Sequence, residues 1–195
     1  MKTKIITVLA VLFTITFQAQ AAYILTFDDI GEVDESTLIP DGYGGFDWDY
    51  FYYMNATELL PNSGYNNGLV SGDYVAHNSG YFNVVGIREN LFTFNGAWLT
   101  AAWRDGLNVQ VDGYLNDFLI YSTTVVVDTT GPTWFDFDYP DIDELKFSSF
   151  GGTPNPAYHP QTGYHFAMDN FTYIPEPTTL LLFTFGAVLL RRQHS

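Results

Sequence analysis

The chain contains no cysteine, so neither a disulfide nor thiolate chemistry is available to it. Positive charge is almost as scarce. Seven Lys and Arg stand against 22 Asp and Glu, a net charge of −15, and between Ala22 and Ile174 the cations are Arg88, Arg104 and Lys146 alone. Such a surface repels phosphate backbones, which excludes nucleic acid and anionic lipid as partners and leaves neutral polymers and divalent cations. A sustained apolar period of 3.6 is also missing from the body, so amphipathic helices do not build its core. Stability has to come from packing alone, or from packing and a bound ion.

What the body has in quantity is aromatic side chains, 17 Phe, 14 Tyr and 4 Trp, set in short alternating stretches. Leu107, Val109 and Val111 alternate with Asn108, Gln110 and Asp112, the period of a half-buried strand. Asn116-Asp117 predicts a tight turn into a strand over Phe118 to Val127, which is rich in β-branched and aromatic residues. Further strands are predicted at Tyr23–Phe27, Tyr74–Ala76, Leu91–Ala101, Trp134–Phe137, Glu144–Phe147 and Tyr164–Tyr173. Gly, Pro and Asn clusters separate them, and Gly151 to Pro156 reads as a long loop, mobile or ligand-facing. Many short strands with polar turns predict an all-β sandwich in one domain, Ala22 to Ile174.

Both ends look like addresses. Lys2 and Lys4, an apolar run from Ile5 to Phe17, and Ala19-Gln20-Ala21 have the order of a cleavable signal peptide over residues 1–21. At the other end, residues 175–195 run Pro175-Glu176-Pro177, an apolar segment from Leu180 to Leu190, then Arg191-Arg192. The proline pair keeps the approach extended, an apolar helix follows, and the arginines stay cytoplasmic under the positive-inside rule. This tail resembles the PEP-CTERM sorting signal of Gram-negative bacteria. The resemblance implies a transient inner-membrane anchor, an exosortase as processing partner, and delivery to the cell surface or extracellular matrix.

A second resemblance lies in the terminal strands. Thr26-Phe27-Asp28-Asp29 and Phe166-Ala167-Met168-Asp169-Asn170-Phe171 are similar to the first and last strands of secreted jelly-roll domains, carbohydrate-binding modules among them. The resemblance implies that these strands pair and that Asp28, Asp169 and, less directly, Asp29 hold a structural calcium. The alternative is that these acids cap turns at strand ends. The run Asp136, Asp138, Asp141, Asp143 reads as a solvated strand and turn instead of a metal site.

Two functions of different class follow. In one, the body is a non-catalytic module for extracellular polysaccharide. Trp48, Tyr50 and Tyr52 would share one face of a strand as a stacking ribbon, while Trp98, Trp103 and Trp134 belong to the core. In the other, the body is a structural matrix protein that packs against its own kind, which a flat exposed sheet edge would favour. Catalysis is not expected. His77, His159 and His165 are scattered in the sequence, no G-x-S-x-G elbow is present, and so many acids satisfy a glycosidase's need for two carboxyls trivially.

Overall fold

The structure is a computed structural model that describes residues 21–78 and 84–176. It is all-β, with ten strands in one continuous antiparallel sheet that folds over into a sandwich-like pair of layers. The strands are β1 (Tyr23–Leu25), β2 (Thr37–Leu38), β3 (Asp47–Asp49), β4 (Phe51–Asn55), β5 (Tyr74–Asn78), β6 (Val84–Ala101), β7 (Arg104–Leu115), β8 (Phe118–Val127), β9 (Thr133–Pro154) and β10 (Phe166–Pro175). Two one-turn helices, α1 (Ala56–Leu59) and α2 (Gly64–Asn67), lie between β4 and β5.

β6 and β9 are long because each serves both layers. The first part of β6 lies between β3 and β9 (Ile87 faces Trp48 and Leu145), and its second part between β10 and β9 (Leu99 faces Met168 and Thr133). Register shifts between Arg88 and Gly96 mark the bend, as expected where bulges increase local twist. The stretches 134–137 and 144–147, predicted as separate strands, are one strand. Asp138 and Asp141 take positive φ in between, so the acidic run turns within the sheet and does not end it. The predicted loop at Gly151 begins as strand, since β9 continues to Pro154. First and last strands do pair, Tyr23 opposite Tyr173.

The two layers meet through rings. Phe51 of β4 and Phe166 of β10 contact Phe147 of β9 at 5.6 and 5.9 Å between centroids. Phe46 packs edge-on against Trp48, Phe92, Phe171 and Tyr173. A smaller apolar cluster, Met54, Ala56, Tyr65, Val75, Ala102, Trp103 and Ala167, lies on the other face of the β4–β5–β10 layer, under α1 and α2.

Trp48 belongs to the main core at 5% exposure, and this overturns the expected ribbon. Tyr50, between β3 and β4, has φ of 61°, a left-handed backbone that breaks the two-residue alternation. Trp48 and Phe51 therefore both face inward, their rings 5.4 Å apart and perpendicular. Tyr50 is half exposed and Tyr52 rests on the His77 ring, 5.9 Å away. The Trp48 indole donates to the Tyr43 carbonyl at 2.9 Å, which satisfies its one polar atom. Trp48→Ala is expected to cost about 3–5 kcal/mol of stability, as large-to-small changes in well-packed cores do. Urea unfolding measures it, and a loss below about 1 kcal/mol would contradict core placement.

Candidate functional site

All three cations of the body are already in use. Arg88 on β6 joins three strands, with Nη1 2.9 Å from Asp49 and Nε 2.7 Å from Glu144. Lys146 holds the second oxygen of the buried Glu144 at 2.9 Å. Arg104 donates to the carbonyls of Gly151, Gly152 and Thr162 at 2.7–2.9 Å and covers one face of Tyr164 at 4.4 Å. An anionic ligand finds no uncommitted Lys or Arg among the described residues.

The remaining two tryptophans are placed differently from Trp48 and Trp103. Trp98 and Trp134, expected in the core, are only half-buried and face each other across β6 and β9, ring centroids 5.9 Å apart. Their neighbours Ala97 and Leu99 point into the core with no exposure, so by strand alternation the two indoles occupy the outer face. The benzo ring of Trp134 lies over Gly96, where a Cβ would come within 2.7 Å of it. Its Nε1 donates to Asp136 at 2.7 Å. Glycine below and carboxylate beside hold the ring in place, next to a second indole. The signal in the sequence was strand alternation, but only the pairing of β6 with β9 shows that the two residues meet.

A shallow cleft is lined by Pro154, Asn155, Pro156, His159, Gln161 and Thr162, where β9 leaves the sheet. Asn155 fixes its floor, with Nδ2 donating to Asp105 and Thr129 and Oδ1 accepting from Ala157 N. His159, Gln161 and Thr162 are exposed. The lining carries amide, imidazole and hydroxyl groups between two prolines and no carboxylate.

Asp28 and Asp169 do converge, on one loop. Asp169 Oδ2 accepts from Val70 N and Ser71 N at 2.7 and 3.0 Å, and Oδ1 from Asn170 N and Ser71 Oγ. Asp28 Oδ1 accepts from Asp73 N and Tyr74 N. Gly72 sits at φ +52°, where any Cβ would overlap the Asp28 carboxylate, so the turn requires glycine. Asp29 accepts from the Tyr43 hydroxyl at 2.8 Å. This is the turn-capping arrangement. It does not fit the calcium site that the resemblance implies, since the N–H dipoles already occupy Asp169, and no group of three His, Cys, Asp or Glu gathers for a metal among the described residues. Burial raises the Asp169 pKa, with the nearby Asp28 charge adding to it and the N–H donors opposing.

Pro175 is the last residue of β10, opposite Phe92, and Glu176 N donates to Leu91 O at 3.0 Å. The first two residues of the tripeptide thus close the sheet, whereas Pro177, Arg191 and Arg192, like the signal peptide, lie outside the described residues.

His77 and His165, far apart in sequence, both contact Tyr65. The Tyr65 hydroxyl is 2.7 Å from His165 Nδ1, and its ring is 5.2 Å from that of His77. His77 Nδ1 faces the Asn78 carbonyl at 3.0 Å, which can only accept, so Nε2 accepts from Ser36 Oγ at 2.8 Å. Burial lowers the pKa of both rings, that of His77 to about 4.

No protein-family model and no curated protein matches the chain. Among solved structures it is similar to a family 61 carbohydrate-binding module in complex with β-1,4-galactotriose, at 12% identity over 70% of this chain and 95% of that one, with a TM-score of 0.40. It is similar also to a family 16 carbohydrate-binding module, at 16% identity over 65% and 86%, TM-score 0.35. A third is the tandem family 22 carbohydrate-binding domain of Paenibacillus barcinonensis Xyn10C, at 11% over 80% and 45%, TM-score 0.40. The likeness is one of general β architecture.

The histidines make stability depend on pH. An unfolded histidine titrates near 6.5 and buried His77 near 4, so between those values the unfolded state holds the extra proton. Stability is whole above about pH 6.5 and falls as pH drops towards 4, by on the order of 3 kcal/mol for His77. His165 acts in the same direction, Asp169 in the opposite one. Denaturant melts of the wild type and His77→Gln isolate the first term. The wild type is expected to lose stability more steeply over this range, and parallel profiles would refute the argument.

Proposed function

We propose that this chain is exported to the cell surface or matrix through its two terminal signals, and that its body is a non-catalytic binding module for a neutral polysaccharide. The observation that carries the second part is the Trp98–Trp134 pair. Two partly exposed indoles lie side by side on an outer sheet face, one of them held in place by Gly96 and Asp136. Planar rings stack on the apolar faces of sugars, and a neighbouring carboxylate accepts from sugar hydroxyls. The body's committed cations and the chain's −15 charge select against anionic polymers. Tyr50 and Tyr52 are no part of this face in the proposal, and calcium has no role in it. A structural matrix role is the second reading, favoured by the long uncovered edge of β8.

Binding is tested by a glycan array followed by titration with the best hit. Trp134→Ala and Trp98→Ala should each weaken binding at least about tenfold, or about 1.4 kcal/mol, and melt far closer to the wild type than Trp48→Ala does. A double variant at His159 and Gln161 that loses binding while both tryptophan variants keep it would move the site to the cleft. An array without hits would leave the matrix reading.

Export is tested in the native host. Surface-recovered protein is expected to lack Leu180 to Ser195 by mass spectrometry, and alanines at Pro175, Glu176 and Pro177 should trap the chain at the inner membrane. An intact tail on surface protein would refute the processing step.

A further inference from the structure

We propose that β8 is the surface through which two copies of this chain join edge to edge, as an antiparallel pair. The proposal is independent of what Trp98 and Trp134 bind. β8 closes one side of the sheet and is hydrogen-bonded to β7 alone among the described strands. Its ten residues, FLIYSTTVVV, include no charge, proline or glycine. Phe118 is 74% exposed and Val126 57%. Edge strands are normally protected by being short, charged or covered. The other short strands follow that rule: β2 has two residues, and β3 reads Asp47-Trp48-Asp49. β8 does not.

Charge restricts where a second copy can dock. A body this acidic repels its own kind over most of its surface, whereas the β8 edge brings ten uncharged residues together. The sequence of the strand is also its own complement. In an antiparallel ladder only alternate residues turn their N–H and C=O outward, so a two-fold pair aligns residues of equal parity. Centred on Thr123, Ser122 meets Thr124 and Tyr121 meets Val125, hydroxyl to hydroxyl and apolar to apolar, and the regular ladder ends at the bulge at Ile120. A hairpin whose turn residues Asn116 and Asp117 both take positive φ presents this edge with the strand's twist preserved.

The test is sedimentation velocity of the full-length chain in mild detergent over a concentration series, with every variant carrying the same tail. The wild type should show a mass that rises from one chain to two. The double variant S122K/T124K puts like charges opposite each other across the proposed pair, on exposed positions of the outer face. It should fold normally and associate at least about tenfold more weakly. Mixing it with Thr124→Glu, which sets a carboxylate opposite the new ammonium at position 122, should restore a heterodimer. Should the double variant fail to fold by circular dichroism, Thr123→Lys, which meets its own copy across the two-fold at an exposed position, repeats the comparison. A wild type that stays monomeric overturns the proposal, as does a dimer that S122K/T124K leaves unchanged. So does hydrogen exchange in which β8 amides gain protection only on adding a different protein.

Discussion

Everything in this body depends on aromatic rings packed edge to face between two sheet layers. Without cysteine, and with three cations to meet its many acids, the chain has no covalent staple and few ion pairs. Phe27, Phe46, Trp48, Phe51, Phe147, Phe166 and Phe171 supply the cohesion instead, all buried and each touching at least one other ring. Each perpendicular pair adds a modest amount beyond area burial, about 0.5–1.5 kcal/mol. Collectively they fix how far apart the layers stand. The long strands β6 and β9 are the geometric counterpart, because strands that run through both layers cannot slide without breaking the ring contacts.

Polar groups serve the same frame. The Asp28 and Asp169 carboxylates tie residues 70–74 to strands from both ends of the chain, so the closing contact between first and last strands is reinforced by a loop from the middle. Arg88, Lys146 and Glu144 bind β3, β6 and β9 together. Arg104 holds the loop beyond β9 against the turn at Gly151 and Gly152. With the cations spent on scaffold, the surface keeps its exposed carboxylates together with an indole pair, a polar cleft and an uncharged strand edge.

The sequence alone determined the class of fold, because strand alternation and turn chemistry are local: β8 runs from Phe118 to Val127 as its composition predicts, after the turn that Asn116-Asp117 predicts. It determined the charge balance, and with it the kinds of partner that are excluded. The proposed terminal signals, too, are linear strings, legible without a fold. Tertiary structure decided what lies inside. One left-handed residue, Tyr50, turned Trp48 into the core, and no periodicity rule foresees such a reversal. The β6–β9 register brought Trp98 to Trp134 over 36 residues of chain, and packing around Tyr65 joined two histidines that looked unrelated. Pairing across a sheet is non-local, so which aromatic is core and which is surface was settled only when the strands had neighbours.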